Sequence, residues 1–341
     1  MSVMIGIDPH KLLHAACAID ERETHLGQLQ VRTGPRQISE LLVWAAPFEG
    51  RSWAIESAGG LGYLLAQQLV ARGEHVIDVP ATLSSRVRLL GSGRSTKNDA
   101  NDARAVAVAA LRSPSLAAVR AEDHVSVLRL LAKSQLDTSR AKSRACCRLH
   151  ALVSELLAGG IRKEIVVTQA DQVLAEITPM TATQRQRLEL AHETLDEIRM
   201  LDERSKRSKA RITQAVIASG TSLTDMFGVG PIVAGLVIGY TGDINRFATP
   251  GHYAAYNGTA PIEFSSGGRA VHRLSRRGNR TLNHAIHMIA VTQIRHPDSE
   301  GRRYYDSKLE AGKTRREAMR SLKRQISDRV YRQLRADAMR K

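Results

Sequence analysis

Two short apolar runs near the start of the chain each end in an acid. They are residues 3–8 (VMIGID) and residues 52–56 (SWAIE), which end in Asp8 and Glu56. Apolar runs of this length predict buried strands. Because ligands of α/β sheets gather beyond the carboxyl ends of the strands, both acids are expected at one functional edge. This pattern predicts an α/β sheet for the first third of the chain.

The segments around these runs predict the rest of the sheet. Residues 15–20, 27–32 and 75–79 predict further strands, and residues 35–45 and 61–72 have helical spacing. Three strands in succession, followed by alternating helices and strands, indicate a mixed sheet. Residues 98–111 (NDANDARAVAVAAL) then predict a helix that opens with Asp99 and Asp102. A spacing of three places both carboxylates on one helix face.

Four converging carboxylates repel one another unless a cation compensates for their charge. Mg²⁺ or Mn²⁺ would do so, and a pair of such ions activates nucleophiles in phosphoryl transfer. Asp8, Glu56, Asp99 and Asp102 are therefore the candidate metal ligands and catalytic acids. Each acid alone has a structural alternative. Asp8 could form a turn, and Asp99 and Asp102 could favour a helix N-terminus electrostatically.

The middle of the chain has a helical pattern. Leu188, Ala191, Leu195 and Ile198 step by 3, 4 and 3, which is a heptad seam within a helix predicted over residues 183–218. The seam spans under three heptads, so it fits an antiparallel pair within the chain as well as a dimer interface. We predict three domains: an α/β domain over residues 1–120, a helical or coiled-coil segment over 121–218, and a mostly helical domain over 219–341.

The charge of the chain is uneven. Its formal net charge is +16, and from Ser265 to the end there are 20 Lys and Arg against 7 Asp and Glu. This surplus indicates a polyanionic partner, because Lys and Arg neutralise phosphates. The three cysteines Cys17, Cys146 and Cys147 have no CxxC spacing, which argues against a disulfide scaffold and a zinc site. Neither a signal peptide nor a bilayer-spanning apolar run is found, so a cytoplasmic protein with no membrane partner is expected.

Two glycine-bearing segments of the C-terminal third suggest turns. Residues 227–231 (FGVGP) resemble the hairpin of a helix-hairpin-helix element, whose turn amides hold a DNA phosphate, and equally an ordinary tight turn. Residues 265–268 (SSGG) predict a polar turn, and residues 279–294 and 314–334 predict basic helices.

Several motifs resemble those of one family in the same order along the chain. Residues 6–11 (GIDPHK), 54–60 (AIESAGG) and 97–103 (KNDANDA) resemble the RuvC-like half of the Piv-like DEDD transposases, the recombinases of the IS110 group of bacterial insertion sequences. Residues 228–231 (GVGP), 256–261 (YNGTAP), 265–267 (SSG) and 277–280 (RGNR) resemble that family's C-terminal transposase domain.

The resemblance implies an RNase-H-like N-terminal domain with the acid quartet, a coiled-coil segment and a C-terminal domain with a serine nucleophile. The serine before the glycine of the family's S-G motif is Ser266 here, and Ser265 is the alternative nucleophile. Ser266 would form a covalent phosphoserine with DNA while the acids hold Mg²⁺ or Mn²⁺. The implied partners are donor and target DNA, a structured non-coding guide RNA (a bridge RNA), and further copies of the chain in a homodimer or homotetramer. Such an enzyme would work at the bacterial nucleoid.

Five arginines follow the serine and are expected to bind nucleic acid: Arg269, Arg273, Arg276, Arg277 and Arg280. Two other functions remain open from the sequence. A RuvC-like nuclease would need the acids but not Ser266, and it would not rejoin strands. A non-catalytic nucleic-acid-binding protein would need neither the acids nor a metal.

Overall fold

The computed structural model describes residues 2–92, 99–113, 115–161, 165–266, 269–274 and 278–340. The chain forms two compact units, Met1–Glu122 and Asp123–Lys341. The division into three domains stays a prediction. None of the described helices combines the length and the apolar character that crossing a bilayer requires.

The first unit is built on a five-stranded mixed sheet. Its strands are β1 (Val3–Pro9), β2 (Leu13–Ile19), β3 (His25–Arg32), β4 (Arg51–Glu56) and β5 (Val76–Val79). Their order across the sheet is β3-β2-β1-β4-β5, with β1, β2 and β3 antiparallel and both β4 and β5 parallel to β1. This arrangement confirms the expected α/β class and RNase-H-like fold of the N-terminal part.

Helices cover both faces of the sheet. The connecting helices α1 (Gln37–Ala45) and α2 (Tyr63–Val70) share one core with β1 and β4, in which Trp53 and Ile55 are fully buried. Helices α3 (Ala81–Ser92) and α4 (Asp99–Leu111) follow β5, and the alanines and valines of α4 pack against β1, β2 and β4. The small residues of α4 allow it to lie close to the strands.

The second unit begins with two long helices, α5 (His124–Ser154) and α7 (Ala182–Ala218), with the shorter α6 (Val167–Ala175) between them. Side-chain pairs show that α5 and α7 run antiparallel, since Gln135 contacts Ser205, Lys142 contacts Asp202 and Glu155 contacts Arg187.

The predicted heptad seam lies inside this helix pair. Ala191, Leu195 and Ile198 are fully buried in a core that α5 and α6 complete, and Leu188 packs against it. Of the two readings of the seam, the one that the chain adopts is the intramolecular pair.

The remaining elements of the second unit are α8 (Pro231–Thr241), α9 (Pro250–Asn257), the hairpin β6 (Pro261–Ser266) and β7 (Arg269–Leu274), α10 (Arg280–Arg295), α11 (Glu300–Glu310) and α12 (Arg315–Met339). Helices α9, α10 and α12 share a core with α5, α7 and α8. Two partly buried tyrosines of α11 pack against this core. The C-terminal region is thus mostly helical, as expected. The polar turn predicted over residues 265–268 is wrong for Ser265 and Ser266, because these are the last two residues of β6. Gly267 and Gly268 lie outside the described residues.

Candidate active site

Asp8 and Glu56 lie at the same edge of the sheet. β1 and β4 are parallel neighbours in which Ile7 pairs with Ile55, so the next residue of each strand is an acid at the carboxyl edge. Both acids line a cavity of about 270 Å³. Asp8 is buried and Glu56 is half-buried.

Asp102 reaches the same cavity because α4 passes directly over β1 at Gly6. A Cβ atom on Gly6 would lie 2.1 Å from the Ala103 carbonyl oxygen and 2.5 Å from the Ala107 amide nitrogen. Only a residue without a side chain therefore permits this approach. The contact fixes the first turns of α4 above Gly6, two positions before Asp8, and Asp102 lines the cavity with a buried side chain.

Helix α3 contributes the polar side chains of Ser84, Ser85 and Arg88 to the cavity, and two of them contact the acids. The buried Ser84 hydroxyl donates a hydrogen bond to Oε1 of Glu56 and also contacts the Ala81 carbonyl oxygen. Arg88, one helical turn later, donates from Nη1 to Oδ1 of Asp102 at 2.6 Å. The hydrogen bond and charge of Asp102 raise the pKa of Arg88, and the charges of Glu56 and Asp8 raise it further. Arg88 is thus a positive charge on which three carboxylates act.

His10 pairs with the first acid of the site. Its Nε2 lies 3.1 Å from Oδ2 of Asp8, with the imidazole 42% exposed and the carboxylate 8% exposed. The partly exposed imidazole therefore contacts a nearly buried carboxylate and is placed to orient it.

The turn after Glu56 holds this acid in place through backbone contacts. Ser57 has a positive φ of 50°, a conformation uncommon for a residue other than glycine. Its amide donates to the Val79 carbonyl oxygen at 2.8 Å, and the Ala58 amide donates to Oδ1 of Asp78 at 2.8 Å. Because β5 supplies both acceptors, the end of β4 is fixed to its neighbour.

The donor chemistry of the cavity fits a hard divalent cation, since Asp8, Glu56 and Asp102 all present carboxylate oxygens. Within the described part of the chain, no three Asp, Glu, His or Cys side chains are grouped closely enough to hold one ion together. The Arg88 guanidinium instead pairs with Asp102, and the charges of Glu56 and Asp8 also act on it. A bound cation would require Arg88 to move and the carboxylates to close in. The backbone of Asp99 begins α4, and its side chain lies outside the described residues.

The predicted nucleophiles lie on the hairpin of the second unit. Ser266 pairs with Arg269 and Ser265 with Ala270 across the two strands. The side chains of Ser265, Ser266, Arg269 and Arg273 lie outside the described residues, as do Arg276 and Arg277 altogether. Arg280 is the first residue of α10 and is exposed.

The two ends of this hairpin are fastened together at the start of α10. The Asn279 amide donates to the Tyr256 carbonyl oxygen at 2.7 Å, and Nδ2 of Asn283 donates to the Asn257 carbonyl oxygen at 3.0 Å. A Cβ atom on Gly278 would lie 2.5 Å from the Cα of Gly258, so the two segments touch backbone to backbone. Residues 256–258 and 278–280, which belong to two motifs singled out in the sequence, thus lie together at the base of the hairpin.

Ser84, Arg88 and His10 were not identified from the sequence as site residues. The helix that carries the first two was not predicted, because residues 81–92 (ATLSSRVRLLGS) mix Ser, Thr and Gly with few apolar side chains. The available signal was the spacing of four between Ser84 and Arg88, on a segment that directly follows a strand. His10 stands two positions after Asp8, and that spacing was the signal for it.

Two family models match the chain in succession. Residues 5–157 match a DEDD transposase family of IS110 elements, and residues 220–306 match the Transposase IS116/IS110/IS902 family. The first segment contains Asp8, Glu56 and Asp102, and the second contains Ser266 and Arg280.

The chain is also similar to individual proteins. A protein of insertion element IS116 from Streptomyces clavuligerus is 27% identical, over 98% of this chain and 94% of the relative. A probable family 20 transposase of Pseudomonas aeruginosa is 28% identical over 82% of this chain and 80% of its own length. Among solved structures, RuvC of T. thermophilus in complex with a Holliday junction substrate is 16% identical, with a TM-score of 0.28, and covers 35% of this chain and 100% of that chain.

Proposed function

Since this chain belongs to the IS110-type DEDD transposases and is a DNA transposase, we propose that it cuts and rejoins DNA through a covalent phosphoserine at Ser266. A divalent metal, Mg²⁺ or Mn²⁺, held by the acids of the first unit, would assist this reaction. The observation that carries this proposal is the convergence of Asp8, Glu56 and Asp102 on one cavity.

Asp8, Glu56 and Asp102 would hold the metal, with Asp99 as the fourth acid. The metal would supply positive charge that polarises the scissile phosphate and stabilises the leaving oxygen. Around it, Ser84 keeps Glu56 in one orientation, and His10 does the same for Asp8. Arg88 compensates part of the charge of these acids, and it would pair with a DNA phosphate if a metal took its place beside them.

The serine step conserves the energy of the broken DNA bond. Oγ of Ser266 attacks the phosphorus, loses its proton and forms a new O–P bond, while the bond to one deoxyribose oxygen breaks and that oxygen gains a proton. A hydroxyl of a second DNA strand then attacks the phosphoserine, which releases the serine and joins the strands. A serine hydroxyl is a weak nucleophile, so its phosphate target must be activated. The acid half of the site would provide that activation.

The proposed partners of the protein are DNA, a guide RNA and further copies of the chain. The basic residues Arg269, Arg273, Arg276, Arg277 and Arg280 would bind the DNA flanking the cut. A structured guide RNA would select donor and target, and the protein would act as a homodimer or homotetramer at the nucleoid.

The covalent step is tested by trapping the protein on end-labelled DNA and identifying the modified residue by mass spectrometry. We expect a phosphoserine adduct with the unaltered protein and with Ser265→Ala, and none with Ser266→Ala. Asp8→Asn and Asp102→Asn should bind DNA but form no adduct. Ser265→Ala is the matched control, because it removes the neighbouring hydroxyl on the same strand.

Strand joining by Ser266→Ala would refute the covalent mechanism, and DNA hydrolysis by the same variant would point to a RuvC-like nuclease. Full activity of both Asp variants without metal would point to a binding protein that needs no acids.

The guide RNA is tested by sequencing the RNA that copurifies with the protein. A single discrete species, with recombination lost after RNase treatment, is the expected result. Recombination by RNase-treated protein would remove the RNA from the proposal. The oligomeric state follows from the mass in solution, where a monomer in the presence of DNA would contradict the dimer or tetramer.

A further inference from the structure

A basic groove lies between α5 and α10 in the second unit. α5 contributes Leu136, Ser139, Arg140, Ser143 and Arg144, and α10 contributes Arg280, Thr281 and His284. The groove has a volume of about 560 Å³. No carboxylate lines it among the described residues. The guanidinium, imidazole and hydroxyl groups of this surface fit phosphate oxygens.

The cations of this groove differ from the other cations of α5. On the α7 side of α5, Lys142 pairs with Asp202 and Arg148 pairs with Glu197 across the helix pair. On the groove side, the one ion pair that Arg140 forms within the described part of the chain is with Asp137 of its own helix, at 3.6 Å and with both side chains more than half exposed. Of the ion pairs found within the described residues, none contains Arg144 or Arg280. The positive charge of the groove is therefore less neutralised by the described acids than that of the α7 side, and it can attract an anionic partner.

The groove wall on α10 begins at a capped helix end whose polarity favours anions. The Asn279 side chain accepts hydrogen bonds from the Thr281 and Leu282 amides at 3.1 Å, which caps the helix. The positive end of the α10 dipole thus points toward the segment that carries Arg280, and it adds to the attraction for anions.

The groove also adjoins the hairpin that carries Ser266. β7 ends at Leu274, and α10 begins at Arg280. The first turn of α10 fastens the base of the hairpin through Asn279 and Asn283. A DNA strand held at the hairpin therefore has the first turn of α10, with its arginine, as its next neighbour.

We propose that the groove between α5 and α10 binds the sugar–phosphate backbone of DNA beside the cleavage position, with Arg144 and Arg280 as its principal phosphate ligands. The choice of DNA rests on the proposed function, because the hairpin that shares the first turn of α10 would act on DNA.

The test measures binding of full-length, nuclease-treated protein to a labelled DNA duplex and to a labelled structured RNA at several KCl concentrations. Arg144→Ala and Arg280→Ala are each expected to weaken DNA binding about tenfold, the effect of losing a charged hydrogen bond. Each should also reduce the slope of log affinity against log salt by about 1. Arg144→Lys should restore most of the slope.

Arg148→Ala is the matched control, because it removes the same charge from the same helix one turn away, on the α7 side. Equal losses in Arg148→Ala and Arg144→Ala would show a mere net-charge effect and overturn the groove. Unchanged affinity and slope in both groove variants would overturn it as well, and weakened binding of RNA alone would overturn the choice of DNA.

Failure of the groove and failure of the proposed function give different results. Intact DNA binding by the groove variants, with the adduct still dependent on Ser266, would reject the groove alone. Weakened DNA binding, with an adduct that does not need Ser266, would reject the serine mechanism alone.

Discussion

Gly6 offers a direct test of how the acid half of the site is assembled. In Gly6→Ala, the new Cβ would lie 2.1 Å from the Ala103 carbonyl oxygen, over 1 Å short of the 3.4 Å at which ordinary contact begins. The obstacle is helix backbone, so α4 as a whole must retreat from β1. Overpacking of this kind costs about 1–3 kcal/mol, and we expect the upper end because no flexible side chain can yield.

The same displacement should disable the site. α4 carries Asp102, whose carboxylate meets Arg88 at 2.6 Å on the cavity that Asp8 also lines. A misplacement of about 1 Å in catalytic groups costs roughly 100-fold in rate. We therefore expect adduct formation by Gly6→Ala to fall by about that factor while DNA binding through the second unit is retained.

Urea unfolding followed by tryptophan fluorescence measures how much Gly6→Ala lowers the free energy of unfolding. The only two tryptophans are Trp44 and Trp53, so this signal reports the first unit within the full-length protein. Gly27→Ala on β3 of the same sheet is the control. Its Cβ would meet the Phe48 ring at 3.4 Å, an ordinary contact, and losing a glycine in a strand stabilises by up to about 1 kcal/mol.

The two glycine variants should thus shift the unfolding midpoint in opposite directions. Equal midpoints would show that the contact at Gly6 does not fix α4. A destabilised Gly6→Ala protein with full activity would show that the alignment of Asp102 with Asp8 is not needed.

Three further predictions concern single side chains. Arg88→Ala should bind Mn²⁺ several-fold more tightly in a paramagnetic resonance titration, because the competing guanidinium is gone. Arg86→Ala, which removes an exposed arginine of the same helix, should leave the Mn²⁺ affinity unchanged. Equal affinities of the two variants would exclude this competition. Leu195→Asp should destabilise the second unit by about 3–5 kcal/mol in thermal unfolding, since a charge would enter a fully buried position. If this variant instead formed folded, soluble monomers, Leu195 would lie in an interface between protomers. Asp337 is buried, which by itself would raise its pKa, but hydrogen bonds donated by Ser222 and Thr221 outweigh this effect and lower the pKa. The stabilisation of the folded state by the Asp337 carboxylate is therefore full above its unfolded pKa of about 3.9 and is lost as the pH falls through the lower folded pKa. In Asp337→Asn, the opening free energy of α12 measured by hydrogen exchange should be lower than in the unaltered protein by about 1–3 kcal/mol at pH 6. The two proteins should become alike in acid, and a difference that persists there would contradict this role of the carboxylate.

The sequence was most informative where a local pattern has one structural consequence. Apolar runs ending in Asp8 and Glu56 predicted two strands with acids at a shared edge, and the parallel pairing of β1 with β4 agrees with this. The alanine-rich pattern of residues 98–111 likewise predicted α4 to within one residue. Strands and helices of this kind are predictable because the spacing of apolar residues, which can be read within a short stretch of sequence, reflects which side of the element is buried.

Only the tertiary structure decided which side chains surround the acids. Arg88 meets Asp102 because α3 and α4 pack side by side, and Ser84 meets Glu56 across 28 positions of sequence. The heptad seam shows the same division. Its spacing predicted a buried stripe at Leu195, but the partner of that stripe was fixed only by the antiparallel packing of α5 on α7. Periodicity records that a face is buried, whereas the identity of its partner depends on contacts between segments far apart in the chain.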